Sequence, residues 1–202
     1  MVFIVNLTKP VILASGSPRR KELLALSGFN FTVCPAKGEE VTSKTLPCDI
    51  VCELAHQKAF EIAKAQKAPC YVIGADTIVA FENRILGKPK DSADAVRMIS
   101  MLQGNTHQVY TGVTLIEVCA DGSLREKSFY EETNVHVYQM TKDEIASYVA
   151  TGEPLDKAGA YGIQGTFSIY VSGIEGDYFN VVGLPVSRLY HEFAAFQNAA
   201  HK

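Results

Sequence analysis

The chain has 202 residues, 47% of them hydrophobic and 20% charged. These are ordinary globular values, and the length is about one domain at ~150 residues per domain, so a wholly disordered chain, a collagen-like repeat and a charged coiled coil are excluded. Nineteen Lys+Arg stand against 22 Asp+Glu, a net charge of -3. There is no global cationic excess to grip nucleic acid, and any anion site must be a local cluster of cations.

The opening MVFIVNLTKP has an apolar run far below the ~20 residues that cross a bilayer. It lacks the cationic flank of a secretory signal. It is expected to form a strand or a disordered tip, and the protein is expected to be soluble and cytoplasmic, with no membrane partner. Without a secretion signal, the glycosylation pattern Asn6-Leu7-Thr8 reads as accidental. Val11-Ile12-Leu13-Ala14 reads as a short buried strand. Ser17 then offers an N-cap, Pro18 a first helical residue, Leu23, Leu24 and Leu26 an apolar run, and Gly28 a stop. Phe31–Pro35 is a second strand and residues 36–47 a polar loop. Residues 48–67 form a helix, with Ile50, Val51, Leu54, Ala55, Ala59, Ile62 and Ala63 at helical spacing.

Cys70–Ala75 is an apolar strand that runs into Asp76-Thr77, Ile78–Phe81 continues it, and Glu82-Asn83-Arg84 is a turn. A helix follows over 91–103. Two long strands, Thr106–Cys119 and Leu124–Tyr138, join at the hairpin signal Asp121-Gly122. A short helix over 141–151, a Gly-rich stretch at 159–165, a strand at Phe167–Ser172 and a helix over 186–199 complete the chain. Strands and helices alternate and a hairpin intervenes, so the fold is mixed α/β with a sheet that is not purely parallel. Five cysteines, Cys34, Cys48, Cys52, Cys70 and Cys119, form no CxxC pair. They read as buried thiols in a reducing cytosol rather than as a zinc or disulfide framework.

Five stretches carry candidate chemistry. Ser15-Gly16-Ser17-Pro18-Arg19-Arg20 sets hydroxyls and two guanidiniums where a strand turns into a helix. Helix N-termini attract phosphate, and cations in the first turn oppose the dipole unless an anion joins them. Lys58 shares a helix side with Leu54 and Ile62, so it must snorkel, pair or serve a site. Gly74-Ala75-Asp76-Thr77 delivers a carboxylate at the end of a buried strand, where it can hold a divalent cation or take a proton from water. Glu39-Glu40 in the polar loop offers a second carboxylate. Gly87-Lys88-Pro89 is a turn carrying a cation, without the Walker A pattern. In Asp156–Gly165 three glycines allow close backbone approach to a ligand, and the Gln164 amide can read a base edge. His107 and His136 lie in the long strands and read as structural. GxGxxG, HExxH, GxSxG, the EF-hand loop and an aromatic-plus-basic nucleic-acid signature are absent from the sequence.

Taken in order, ASGSPRRKELL (14–24), GADTIV (74–79), GKP (87–89), HQVYTGV (107–113), EPLDKAGAYGIQG (153–165) and VVGLP (181–185) resemble the Maf (septum-formation Maf-like) family of nucleoside triphosphate pyrophosphatases. The resemblance runs from about Val11 to Leu189. It implies one domain in two lobes around a central cleft, a mixed twisted sheet with flanking helices, similar to inosine-triphosphate pyrophosphatases. It also implies hydrolysis of a nucleoside triphosphate to the monophosphate and pyrophosphate with a divalent metal cation, Mg²⁺ or Mn²⁺. The family's catalytic acid/base carboxylate falls on Asp76, and its metal-associated second carboxylate on Glu40, with Glu39 adjacent. Its phosphate-binding groups fall on Ser15, Arg19, Arg20, Lys58 and Lys88. In the subgroup most similar to this chain, positions matching Arg20, Thr77 and Gln164 go with dTTP and UTP. A subgroup preferring modified guanine nucleotides departs at these sites. The implied partner is the nucleoside triphosphate, with a homodimer open among the family's relatives. The alternatives are a nucleotide-binding regulator of septation without turnover and a purine-directed pyrophosphatase.

Overall fold

A computed structural model describes residues 7–82 and 84–199. The expected strand or tip at the N-terminus, Asn6 of the glycosylation pattern and Asn83 of the expected turn lie outside these residues. Among the described residues seven strands make one mixed sheet: β1 (Val11–Leu13), β2 (Phe31–Val33), β3 (Cys70–Phe81), β4 (Arg84–Leu86), β5 (Thr106–Val118), β6 (Leu124–Val137) and β7 (Val171–Glu175). Their order is β2-β1-β3-β5-β6-β7, with β4 paired to β3 off this path. β1 runs parallel to both β2 and β3, whereas β3–β4 and β6–β7 are antiparallel. The helices are α1 (Pro18–Leu26), α2 (Pro47–Lys64), α3 (Ser92–Leu102), α4 (Lys142–Ala150), α5 (Tyr178–Val182) and α6 (Val186–Asn198). Among the described residues no helix is long and apolar enough to cross a membrane.

The chain divides into two compact units. The first takes the chain up to Asp76, Thr111–Glu131 and the chain from Gly183 on; the second takes Thr77–Tyr110 and Glu132–Val182. In the first, Ile12, Val72, Ile116 and Val118 from the strands, with Ala14 just past β1, meet Ala59, Ile62 and Ala63 of α2 in one core. Phe193 of α6 sets its ring against Phe29 and Tyr71 at 5.1 and 5.0 Å between centroids. In the second, Phe167 is the hub of an aromatic cluster with Tyr148, Tyr161 and Tyr170.

Several expectations need correction. Asp76 does not end a strand, because β3 runs unbroken from Cys70 to Phe81. The residues 166–170 form 3₁₀ turns before β7, not a strand; Phe167 and Tyr170, three apart, pack together, which a strand's alternation would forbid. β4 and α5, three and five residues long, are too short to show a period. All five cysteines are free, yet Cys70 alone is buried and Cys34 is exposed.

Candidate active site

The first unit holds the flagged residues Ser15, Arg19, Arg20, Glu40, Lys58 and Asp76, and two glycines explain how Lys58 meets Asp76. At Gly74 an added Cβ would run into the Ala55 carbonyl and lie 2.8 Å from the Ala59 Cβ; at Gly112 it would run into the Val51 backbone. Helix α2 therefore lies directly on the backbones of β3 and β5, closer than any side chain would permit. Side chains two apart on a strand share a face, so Asp76 points to the side on which Gly74 admits α2. Lys58, next to Ala59, reaches it: Nζ is 2.6 Å from Asp76 Oδ1.

The same ammonium is 3.0 Å from Glu40 Oε1. Lys58 thus pairs rather than snorkels, and of the two adjacent glutamates it is Glu40 that meets it. The Lys58 and Asp76 side chains are only 15% and 11% exposed, against 48% for Glu40, so the pair is sheltered and the second carboxylate is open to solvent. The segment carrying Glu40 has no helix or strand. A pocket of about 350 Å³ lies beneath it, lined by Glu40, Gln57, Lys58 and Glu61 among others.

Past the last rung of β1, where the Ala14 N–H donates to the Ile73 carbonyl at 2.8 Å, the chain turns through Ser15-Gly16 into α1. Ser17 caps that helix, accepting the Arg20 N–H. No acidic residue occupies the first turn, so its N–H groups and two guanidiniums have only one sign. Ser15, 7% exposed, accepts from the Ser17 N–H and from Arg20 Nη1, each at 3.3 Å. Arg20 Nε donates to the Gly183 carbonyl at 2.9 Å. The guanidinium plane is thereby fixed at two corners. Burial pulls the Arg20 pKa below its usual value and the neighbouring Arg19 charge adds to this, while Asp76 and Glu40 oppose it. Arg19, Arg20, Asp76 and Glu40 therefore share one local field.

Asp76 ends the first segment of the first unit, and Thr77 begins the second unit. There Thr77 is half-buried, and Lys88 and Gln164 are exposed. The Gly159 N–H donates to the Gly87 carbonyl at 3.0 Å, which fastens the Lys88 turn to the Gly-rich segment. The glycines of that segment serve the chain's own packing. A Cβ at Gly159 would meet Val79 at 2.8 Å, and one at Gly162 the Lys157 chain at 2.8 Å; one at Gly165 would overlap the Glu153 carboxylate. Glu153 in turn accepts from the Thr166 N–H at 2.8 Å and the Tyr148 hydroxyl at 3.2 Å. Gln164 thus rides on a braced loop. His107 is buried, its Nε2 2.7 Å from the Tyr161 hydroxyl, and is structural as expected. Sequence reasoning quoted the stretches holding Glu153, Gly74 and Gly112 but missed their packing roles, which are long-range contacts that no local period signals.

The donor set bears on a metal. Among the described residues no three His, Cys, Asp or Glu side chains gather to hold one. Two carboxylates nevertheless converge on one cation, the Lys58 ammonium. Hard oxygens in that number suit Mg²⁺ or Mn²⁺, which take one or two carboxylates and complete their shell with phosphate and water. Asp76 and Glu40 fit such an ion when a polyphosphate supplies the rest.

Residues 10–196 match the family of Maf-like proteins. A dTTP/UTP pyrophosphatase of Agathobacter rectalis is 55% identical over 194 residues, covering 90% of this chain and 95% of the relative. One of Bacillus cytotoxicus is 50% identical over 195 residues, covering 95% and 98%. Among solved structures, a HAM1 protein from Coxiella burnetii superposes with a TM-score of 0.44 at 16% identity, covering 78% of this chain and 89% of that one.

Proposed function

The chain belongs to the Maf-like family, and from that premise we propose how its own residues carry out the hydrolysis. It is a nucleoside triphosphate pyrophosphatase that splits dTTP and UTP into the monophosphate and pyrophosphate, the activity for which relatives at 50–55% identity are named.

Asp76 is the general base. Its carboxylate takes a proton from a water as the water oxygen bonds to the α-phosphorus. The bond from that phosphorus to the bridging oxygen breaks, and the electron pair leaves with pyrophosphate. Such a base is worth about 10²–10⁴ in rate. Lys58, 2.6 Å from Asp76 Oδ1, orients the carboxylate and is a ready partner for phosphate oxygens. Arg20 and Ser15, braced against the α1 N-terminus, offer planar and hydroxyl donors to the phosphates, and Arg19 adds charge that steadies the leaving group. Asp76 and Glu40 hold a divalent cation. When bound, that ion supplies charge neutralisation and polarisation at the phosphates. For the second unit, the family resemblance supports a phosphate-binding role for Lys88 and a part in base preference for Thr77 and Gln164. We assign the work to the cytoplasm; five free thiols accord with a reducing compartment.

The observation that supports this reading most is one ammonium, Lys58 Nζ, shared by two carboxylates beside a cation-rich helix start. The test is pyrophosphate release from a panel of pyrimidine and purine triphosphates with Mg²⁺ or Mn²⁺, on wild type, Asp76→Asn and Gln164→Glu. Fastest turnover of dTTP and UTP, lost in Asp76→Asn and altered in base preference in Gln164→Glu, is the expected pattern. A folded Asp76→Asn that keeps more than about a tenth of kcat removes Asp76 from the role of base.

A further inference from the structure

The carboxylate that shares Lys58 with Asp76 sits on a segment with no secondary structure of its own. Residues 36–45 form neither helix nor strand, and Lys37 to Lys44 are exposed. What orders them is a row of side chains on α2. Glu53, Gln57 and Glu61 are four residues apart, so they stand in line on one helix face. Glu61 accepts the Lys37 and Gly38 N–H groups, each at 2.9 Å. Gln57 takes both backbone groups of Val41: Oε1 accepts its N–H at 3.3 Å and Nε2 donates to its carbonyl. Glu53 accepts the Thr42 hydroxyl. The segment therefore runs antiparallel to the row, and each anchor holds the residue or two that face it.

The central anchor is chemically the most exacting. A primary amide carries a donor and an acceptor side by side, so it can satisfy the N–H and the C=O of one residue together, as a neighbouring strand would. Gln57 and Lys58 are adjacent in α2 and grip the adjacent residues Val41 and Glu40. We propose that Gln57, flanked by Glu61 and Glu53, is a positioning residue that pre-orders the Glu40 carboxylate for the divalent cation of the reaction. This rests on the reading of Glu40 as a metal-holding carboxylate. The physical content is entropic. Without the amide, the 37–42 segment must be ordered when metal arrives, and that cost appears in affinity rather than in the bond-breaking step.

The test uses the full chain with a non-hydrolysable α,β-methylene triphosphate present, and reads free Mn²⁺ by EPR together with amide hydrogen exchange over residues 37–42. Gln57→Met keeps the shape and helix propensity but has no amide; Gln57→Glu keeps the acceptor for Val41 and turns a carboxylate against its carbonyl. Both are expected to weaken Mn²⁺ binding roughly ten-fold or more, the scale seen when outer partners of metal ligands are removed. Both should also quicken exchange over 37–42, with the nucleotide KM at saturating metal unchanged. Wild-type Mn²⁺ affinity in both variants, with binding lost in Glu40→Gln, overturns the positioning role alone. Unchanged Mn²⁺ affinity in Glu40→Gln overturns the metal reading of Glu40 and the inference with it.

Discussion

Lys58 makes the strongest single-residue prediction, because it stands between two carboxylates. Removing it leaves Asp76, 8% exposed, facing Glu40 without its hydrogen-bonded counter-charge, and with only the more distant arginine field to offset the two carboxylates. Breaking one side of a fully buried pair costs about 3–5 kcal/mol, and the exposure of Glu40 discounts that. Lys58→Met is therefore expected to lose about 2 kcal/mol at neutral pH. Asp76→Asn should lose less, since Lys58 keeps Glu40. The double variant Lys58→Met/Asp76→Asn should recover part of the loss, because the carboxylate repulsion is gone. Urea unfolding of the three variants decides this; a Lys58→Met as stable as wild type would mean that the ammonium is not shared as described. Much of this constellation was legible in the sequence. A lysine on the apolar side of a helix needs a partner, and an aspartate in a buried strand needs a cation. That Glu40 rather than Glu39 completes the group came only from the family resemblance, since a segment without periodicity gives no face to its residues. The anchors Glu53, Gln57 and Glu61 show the four-residue spacing, yet so do many solvated helix faces.

At the scale of elements, the distance between α2 and the sheet decides whether these groups meet. Gly74→Ala would set a methyl against the Ala55 carbonyl and the Ala59 side chain. Backbone cannot yield as a flexible side chain does, so α2 must move off β3 and carry Lys58 with it. The expected cost is about 1–3 kcal/mol, the usual scale of overpacking, and kcat/KM should fall beyond what stability explains. Gly173→Ala in β7 is the control. Its nearest neighbour would be the His136 Cδ2 at 3.8 Å, an ordinary contact, so thermal unfolding should be unchanged or slightly raised. Equal effects of the two substitutions would show that the α2 contact is not tight. The long elements were readable from their periods: α2, the β5–β6 pair and α6 stand within a few residues of expectation. The glycines that set their spacing were not. Gly74 reads locally as a weak point in a strand, and only the arrival of a helix from elsewhere in the chain gives it a purpose. The aromatic 166–170 segment misled in the opposite way, since Phe and Tyr favour strands until their rings find a common cluster.

For the molecule as a whole, acid should act in two stages that the ionisable groups keep apart. His107 is buried with its Nε2 on Tyr161, and burial, helped by the charge of His136, pushes its pKa down to about 4. In the unfolded chain it would titrate near 6.5. Between these values the unfolded state binds the proton and the folded state refuses it, so stability falls as pH drops from about 6.5 towards 4, by on the order of 3 kcal/mol. Glu61, Asp94 and Glu144 follow. Each accepts backbone N–H bonds that hold its carboxyl below the usual range. Their contribution is present above the unfolded carboxylate pKa and is lost as pH falls through the lower folded values. The early stage thus belongs to one imidazole and the late stage to surface carboxylates. His107→Gln keeps an amide able to bond Tyr161 but has nothing to titrate. The variant is expected to be less stable at pH 7 yet to lose little between pH 6.5 and 4.5, then to fall in parallel with wild type. Urea unfolding at half-unit pH steps measures both slopes, and an early slope in His107→Gln as steep as that of wild type would assign that stage to another group.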